Sequence, residues 1–308
     1  MRSNELHGVW VALPTAWDEN ENFDAKTYQA DIEYLCTTGI HGIYSGGTTG
    51  EFYNQDFDDF TAINSVLLKT TSKMNVPAQV GATALSTKEV AKRMEWAVDN
   101  GAKGFQIALP YWLKMGDDEV LTFFEDISRV AANAYIIHYD TMRSKRSISP
   151  DLYKKIRQNV PNLVGSKLAS DRIDSMKPCL KEMPNFTIFV GEAELYDGIK
   201  AGVKGTYSSL VMTNPAYMLD YYNACCNNDD EKALAMKNRI VKFFDEAIDI
   251  YIQQGYWDSA LDRLQASLNP NLNCGLACRK PYKFFTQEIL DKTKQWLKDN
   301  DPDLLLHT

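Results

Sequence analysis

The sequence has few of the features that mark a membrane-bound, targeted or nucleic-acid-binding protein. No apolar run in its 308 residues approaches the roughly 18 residues that a membrane-spanning helix requires. The first ten residues, MRSNELHGVW, do not follow the charged-then-apolar pattern of a targeting peptide. Basic residues number 33 against 41 acidic ones and are scattered, so a polyanion-binding surface is not expected. We therefore expect a cytoplasmic protein that binds neither membranes nor nucleic acid.

Cysteine and histidine are scarce, and their positions do not form a metal-binding pattern. The chain has 6 cysteines and 4 histidines. Cys274 and Cys278 could face each other on a helix, but no CxxC motif or histidine pair supplies the further ligands of a zinc site. The irregular cysteine spacing predicts reduced thiols rather than a disulfide framework. No metal is therefore expected.

The chain does contain a regular alternation of apolar, β-branched segments with amphipathic stretches. Segments of the first kind are typical of buried strands, and apolar residues repeated at intervals of three and four are typical of helices. The predicted strands are Gly8–Leu13, His41–Ser45, Ala78–Ala82, Gly104–Leu109, Tyr135–Tyr139, Leu163–Leu168, Thr187–Val190 and Gly205–Leu210. The predicted helices between them include Ala25–Thr37, Asp58–Thr71, Lys88–Asp99, Asp118–Ala132 and Asp151–Gln158.

Eight strands that alternate with helices leave two architectures, a closed (β/α)8 barrel and an open doubly wound sheet. The first strand is not followed by the Gly-x-Gly-x-x-Gly turn of a dinucleotide-binding fold, so we favour the barrel. Strands stop near residue 214. We predict a barrel over residues 1–213 and a helical extension over 214–308. The predicted helices of the extension are Met218–Cys226, Glu231–Gln253, Trp257–Ala266 and Gln287–Lys298.

Two side chains at strand ends are candidates for catalysis, because barrel active sites lie at the C-terminal ends of the strands. Lys167 ends an otherwise apolar strand, where burial disfavours the ammonium and favours the neutral amine that attacks a carbonyl group. Tyr139 ends the preceding strand and could shuttle protons beside it. Each residue also has a simpler explanation: a lysine that reaches solvent or a carboxylate, and an ordinary strand aromatic.

The turn after the second strand is a candidate for anion binding. It reads Gly46-Gly47-Thr48-Thr49-Gly50 and offers exposed backbone N–H groups and two hydroxyls, which suit a carboxylate or a phosphate. A tight turn without any ligand is the alternative. A carboxylate cradle, a proton relay and an amine on one face of a barrel are the parts needed to activate a 2-oxo acid.

Three motifs and several single residues carry a resemblance to a known family. The motifs are Gly47–Glu51, Tyr139-Asp140 and Gly165-Ser166-Lys167. Further matches are Leu13-Pro14-Thr15, Gly191, Gly202–Ser208, Gly275 and Arg279-Lys280-Pro281, so the similarity spans nearly the whole chain. Together they resemble the dihydrodipicolinate synthase / N-acetylneuraminate lyase family of class I aldolases.

The resemblance implies a (β/α)8 barrel with a C-terminal helical domain, assembled as a homotetramer of two tight dimers. It implies that Lys167 forms the Schiff base and that Tyr139 relays protons. It further implies that Thr48 and Thr49 hold the substrate carboxylate or belong to the relay, and that Gly191 and Tyr207 line the site.

The sequence departs from the synthases of this family at two places. Where they carry two adjacent tyrosines after the fourth strand, the second reaching a neighbouring subunit's site, this chain has Tyr111-Trp112. Indole N–H donates a hydrogen bond but does not relay a proton as a phenol does. After the relay tyrosine the synthases carry a proline and then, five residues beyond the tyrosine, an arginine. Here these positions hold Met142 and Ser144, so anion binding would fall to Arg143 or Arg146 in a different register.

The sequence therefore predicts a Schiff-base lyase, an aldolase or a dehydratase, that acts on a pyruvate-like 2-oxo acid such as a 2-keto-3-deoxy sugar acid. The predicted site comprises catalytic Lys167, Tyr139 and Thr48, with substrate contacts from the residues Thr49, Gly47, Arg143, Gly191, Tyr207 and Trp112. No organic cofactor is implied, because the lysine imine itself supplies the electron sink. Dihydrodipicolinate synthase activity and a catalytically silent metabolite-binding barrel remain alternatives.

Overall fold

The computed structural model describes residues 6–168 and 172–306, and its eight strands form a closed parallel barrel. The strands follow one another around the barrel in chain order. They are β1 (Gly8–Ala12), β2 (Gly42–Ser45), β3 (Ala78–Gly81), β4 (Gly104–Ile107), β5 (Tyr135–Asp140), β6 (Leu163–Leu168), β7 (Thr187–Val190) and β8 (Gly205–Ser208). The predicted (β/α)8 fold and all eight predicted strands are confirmed, with ends that differ by at most two residues.

Helices alternate with these strands and continue after the last of them. They are α1 (Ala25–Cys36), α2 (Phe57–Met74), α3 (Thr87–Asp99), α4 (Asp117–Val130), α5 (Pro150–Asn159), α6 (Ile173–Glu182), α7 (Leu195–Ala201), α8 (Leu210–Thr213), α9 (Pro215–Cys226), α10 (Asp230–Phe243), α11 (Asp258–Ser267) and α12 (Gln287–Asn300). None of the described helices is long and apolar enough to cross a membrane.

Side-chain caps fix the starts of two predicted helices. The Ser86 hydroxyl accepts a hydrogen bond from the backbone N–H of Glu89 at the start of α3, and Ser149 accepts one from Leu152 at the start of α5. Pro150 occupies the first turn of α5, where a missing N–H costs nothing. These two helices therefore begin one residue before their predicted starts, at Thr87 and Pro150.

The predicted single helix Glu231–Gln253 is wrong in its second half. The α-helix ends at Phe243, a π-helical turn follows over Phe244–Ile248, and a 3-10 helix runs over Asp249–Gln254. The wider turn breaks the phase of the apolar stripe, so Ile248 is buried whereas Ile250 and Ile252 are exposed. The periodic pattern alone carried no sign of this change.

The chain divides into two compact units, of which the first comprises residues 6–8 and 78–207. It contains β3–β8 and the helices α3–α7 that pack on them. Gly165 allows β6 and β7 to approach, since a Cβ there would come within 3.0 Å of the Thr187 carbonyl oxygen. Gly165 pairs with Thr187 in the parallel ladder, so the close approach lies two residues before Lys167.

The second unit comprises residues 9–77 and 208–306. It contains the turn after β2 and the C-terminal helices, and its largest fully buried side chains include Trp10 and Arg263. Trp10 lies against Gly42 of the neighbouring strand, where any side chain would overlap the indole ring. The fully buried Arg263 belongs to α11 and bonds to the turn after β2, as described below.

Candidate active site

Lys167 and Tyr139 lie side by side near the C-terminal ends of β6 and β5. They are paired residues of the parallel ladder, and both are half-buried. The Lys167 Nζ atom lies 4.8 Å from the centroid of the Tyr139 ring, within the range of a cation–π contact. In the part of the chain that the structure describes, Nζ has no carboxylate partner. The structure thus brings together the predicted amine and the predicted proton relay.

The next residue of β5, Asp140, forms a structural ion pair. It is buried and forms an ion pair with Arg172, which also donates to the carbonyl oxygen of Ile148 at 3.1 Å. Burial raises the pKa of Asp140, and the Arg172 charge opposes that shift. The pair ties the end of β5 to the loop that follows it.

The loop after β5 separates the two arginines that were predicted to bind anions. Arg146 is committed to protein groups, since it donates to the Met115 carbonyl oxygen at 2.8 Å and to the Asp117 carboxylate at 2.6 Å. Arg143 lies in a 3-10 turn, Met142–Ser144, and is exposed. Its role in substrate binding therefore stays a prediction, whereas Arg146 supports the loop.

The turn after β2 holds its hydroxyls and glycines in defined surroundings. Gly47 is buried, and a Cβ there would lie 2.5 Å from the Tyr44 ring, so only glycine fits. Thr48 is half-buried. Thr49 is buried, and its hydroxyl donates a 2.5 Å hydrogen bond to the carboxylate of Asp262 on α11. This acidic partner was not predicted, because 213 residues separate it from Thr49 in the chain.

Glu51, the last residue of the motif Gly47–Glu51, supports the turn after β2. Its buried carboxylate accepts hydrogen bonds from Arg263 at 2.6 Å, from the Trp17 indole at 2.9 Å and from the Arg279 backbone at 2.9 Å. Glu51 adopts a left-handed backbone conformation, with φ of 58°. A residue with this conformation and these bonds fixes the end of the turn rather than contacting a ligand.

The remaining predicted contacts lie in different environments. Trp112 is 73% exposed, and Lys145 donates to its carbonyl oxygen at 2.5 Å. Gly191 is half-buried in the loop after β7. Tyr207 is buried against Phe189, with ring centroids 5.0 Å apart, and its hydroxyl donates to Gln79 of β3. A substrate contact of Tyr207 stays a prediction, and its hydroxyl proton is already bonded within the protein.

His138 and Ser166, which precede Tyr139 and Lys167, are fully buried together with Tyr153 of α5. His138 is packed within the protein, since its side chain is fully buried. Burial lowers the pKa of His138 to about 3, so the ring is neutral near pH 7. The hydrogen bonds among these three residues were not predicted, because a lone serine and a lone tyrosine carry no sequence signal.

The described residues contain no cluster of three or more histidine, cysteine or acidic side chains that could hold a metal ion. All six cysteines are free thiols.

Known proteins resemble this chain over most of its length. The sequence profile of the dihydrodipicolinate synthetase family matches residues 5–300. A 4-hydroxy-tetrahydrodipicolinate synthase of Bartonella bacilliformis is 26% identical over 241 residues, which cover 77% of this chain and 81% of that protein. A trans-O-hydroxybenzylidenepyruvate hydratase-aldolase of Pseudomonas aeruginosa is 25% identical over 226 residues, 70% of this chain and 67% of the relative.

A solved structure shares the fold. The sialic acid aldolase of Ruminococcus gnavus superposes with a TM-score of 0.85 at 19% identity, over 98% of this chain and all of the other. At this identity the likeness shows the fold, while the profile match decides the family. The chain belongs to the dihydrodipicolinate synthetase family, and like the members of that family it is a lyase.

Proposed function

We propose that the protein is a Schiff-base lyase for a pyruvate-like 2-oxo acid, such as a 2-keto-3-deoxy sugar acid. The observation that carries the proposal is the amine of Lys167 beside the ring of Tyr139, without a carboxylate among the described residues. A structural lysine is normally neutralised by an acidic partner or extends into solvent. Lys167 is half-buried and has no acidic partner among the residues that the structure describes, which favours a reactive role.

The Lys167 amine would add to the ketone carbon of the substrate, and loss of water would give a protonated imine. The imine nitrogen is the former amine nitrogen of Lys167, so its positive charge lies against the face of the Tyr139 ring, which stabilises it. The imine withdraws electrons from the adjacent C3 atom, and it can accept the electron pair of a bond that breaks there.

Tyr139 would move the protons of the reaction. In an aldolase Tyr139 takes the proton of the C4 hydroxyl, and the C3–C4 bond breaks. The electron pair of that bond passes to the imine, which becomes an enamine. Protonation of C3 and hydrolysis then release pyruvate. In a dehydratase a C3 proton leaves first, and the C4 hydroxyl departs as water. The same pair of side chains serves both reactions.

We further propose that the turn after β2 binds the substrate carboxylate, with Thr48 and Thr49 as its polar residues and Gly47 allowing close approach. Backbone N–H groups of such a turn suit an anion. Because the Thr49 hydroxyl proton points to Asp262, that hydroxyl is an acceptor toward any further group. The carboxylate would then rely on backbone N–H groups and on Thr48. We assign Arg143, Gly191, Tyr207 and Trp112 to substrate contacts on the family resemblance alone.

Dihydrodipicolinate synthase activity is the second candidate, because the Bartonella bacilliformis relative carries that name. The sequence departures argue against it. Trp112 replaces the tyrosine of the family relay, Met142 replaces the proline, and Ser144 stands where the arginine would be. The family resemblance also supports a homotetramer of two tight dimers, which light scattering would test directly.

The test is borohydride trapping followed by mass spectrometry. Pyruvate and several 2-keto-3-deoxy sugar acids are each incubated with the protein and borohydride, beside Lys167→Ala and an exposed-lysine control, Lys103→Ala. We expect one reduced adduct on Lys167 in the wild type and in Lys103→Ala, and none in Lys167→Ala. Absence of an adduct with every acid would overturn the proposal and favour a silent binding barrel.

The same acids, beside pyruvate with aspartate semialdehyde, are then assayed for turnover. Cleavage to pyruvate identifies an aldolase, and water loss without carbon–carbon cleavage identifies a dehydratase. Strong condensation of pyruvate with aspartate semialdehyde would instead establish the synthase.

A further inference from the structure

A closed hydrogen-bonded ring lies at the level of β5 and β6 that immediately precedes Tyr139 and Lys167. The Tyr153 hydroxyl lies 2.6 Å from Nδ1 of His138 and donates to Ser166 at 2.9 Å. The Ser166 hydroxyl in turn donates to the His138 carbonyl oxygen at 3.0 Å. All three side chains are fully buried, so water does not compete for these bonds.

The ring closes in one direction only. Tyr153 and Ser166 each have a single hydroxyl proton, and those protons go to Ser166 and to the His138 carbonyl. The bond between Tyr153 and His138 must therefore use the proton on Nδ1 of His138. Because the imidazole is neutral, Nε2 then carries no proton and needs no acceptor. This tautomer agrees with Nε2 having no partner among the described residues.

The hydrogen-bonded ring links β5, β6 and α5 at one register position of the parallel ladder. His138 pairs with Ser166 in the ladder, as Tyr139 pairs with Lys167 one step later. Successive strand residues point to opposite faces, so the ring faces α5 while Tyr139 and Lys167 face away from it. The ring therefore fixes the backbone from which both functional side chains extend, yet it cannot contact a molecule on their face.

We propose that the His138–Tyr153–Ser166 ring is a positioning device that sets the separation of Tyr139 and Lys167 for proton transfer. The inference rests on the proposed function, because it assigns these two residues to one reaction. Transfer between positioned groups is sensitive to displacement, and a shift of about 1 Å can cost about a hundredfold in rate. An apolar pair at these positions would also fill the space, but it would not fix a direction or a register through three bonds.

The test compares substitutions of matched shape. Ser166→Thr keeps the hydroxyl and Ser166→Val has the same shape without it, so their difference isolates the hydrogen bond. Tyr153→Phe removes one hydroxyl and is the variant that disturbs the fold least. Tyr28→Phe is its control, since Tyr28 is also fully buried and its hydroxyl has no partner in the described chain.

We expect Ser166→Val and Tyr153→Phe to lower kcat by about tenfold or more, where kcat is calculated per Lys167 that borohydride can trap. KM should change by less than about threefold. Ser166→Thr and Tyr28→Phe should stay within about threefold of the wild-type kcat. A purely structural role would lower Tm without this split between kcat and KM. Unchanged kcat in Ser166→Val and Tyr153→Phe would overturn the proposal.

Crystal structures of the variants keep this test separate from that of the proposed function. If no acid forms an adduct, the proposed function fails. The positioning role of the His138–Tyr153–Ser166 ring is then tested by the distance from Lys167 Nζ to the centroid of the Tyr139 side chain, which is 4.8 Å in the wild type. A change in this distance in Ser166→Val but not in Ser166→Thr supports the positioning role. The same distance in both variants overturns it.

Discussion

The turn after β2 and the ends of β5 and β6 carry the two groups of predicted site residues, and they differ in how their polar atoms are held. In the turn, Thr49 donates to Asp262, and Glu51 accepts from Arg263 and Trp17. At the strand ends, Lys167 has the Tyr139 ring beside it and no carboxylate among the described residues. The turn is held by one buried ion pair and by hydrogen bonds to carboxylates, whereas the Lys167 amine has no carboxylate partner in the described part of the chain.

This difference follows from what each region has to do. A group that only binds is improved by fixed partners, which lower the entropy lost when a ligand arrives. A group that forms a covalent bond must keep its lone pair accessible, and a carboxylate partner would hold it as an ammonium. Lys167 therefore has to be positioned through its backbone, and the buried His138–Tyr153–Ser166 ring fixes that backbone. Four substitutions test the comparison.

The largest effect is expected for Tyr139→Phe, which keeps the ring against Lys167 and removes the proton relay. We expect kcat to fall by about 10²–10⁴-fold, since this is the contribution of a general acid–base group. The borohydride adduct on Lys167 should still form, though more slowly. Tyr135→Phe on the same strand is the control, and equal losses in both variants would contradict the relay role.

Glu51→Gln should cause the next largest effect, because it leaves the buried Arg263 without a charge partner. Breaking such a pair costs about 3–5 kcal/mol of the free energy of unfolding. Urea denaturation measures this value, and Glu288→Gln provides a control at an exposed ion pair with Lys292, where little change is expected. Similar stability of the two variants would show that the turn is not held by the pair.

Gly47→Ala is expected to have a smaller effect on stability and a measurable one on binding. The new Cβ would lie 2.5 Å from the Tyr44 ring, and overpacking of this kind costs about 1–3 kcal/mol. Displacement of the turn should also raise KM for the 2-oxo acid. Gly116→Ala is the control, because its Cβ would meet only Glu119, at 3.6 Å. An unchanged KM in Gly47→Ala would argue against substrate binding at this turn.

Asp262→Asn should have the smallest effect, confined to KM. A substrate carboxylate held by the backbone N–H groups of the turn and by Thr48 would lie beside Thr49 and would feel the charge of Asp262, which accepts the Thr49 hydrogen bond. Removal of that charge should lower KM a few-fold, and less at high salt. Initial rates at two salt concentrations measure it. A KM that does not depend on this charge would place the carboxylate away from Thr49.

The fold was predictable because its signals are local. Strand and helix periodicities, Ser86 and Ser149 as caps, and the missing dinucleotide turn all lie within short windows of the sequence. Helices α6, α7 and α8 are not among the predicted helices. α7 and α8 are too short to show periodicity, and α6 contains Pro178, which normally ends a helix. The π-helical turn at Phe244–Ile248 was missed for a related reason, because apolar residues continue through it.

The site was predictable only in part. The neighbouring positions of Lys167 and Tyr139 follow from strand order, and the register confirms them. The Thr49–Asp262 and Glu51–Arg263 bonds join residues more than 200 positions apart, which no pattern within a single sequence indicates. Alternation along β5 and β6 would have placed His138 opposite Ser166, but their bond to Tyr153 depends on how α5 packs.

Gly165 limits where new substrate preferences could be engineered into this protein. A mutagenesis library that varies β6 would produce mostly misfolded members, because any side chain at this position meets the carbonyl of Thr187. The Cα of Lys167 then has a fixed position, and the four carbon atoms of the side chain determine how far the amine lies from it. Productive diversity should come from exposed side chains in the loops after β4 and β5, such as Trp112 and Met142, which can change without moving the amine.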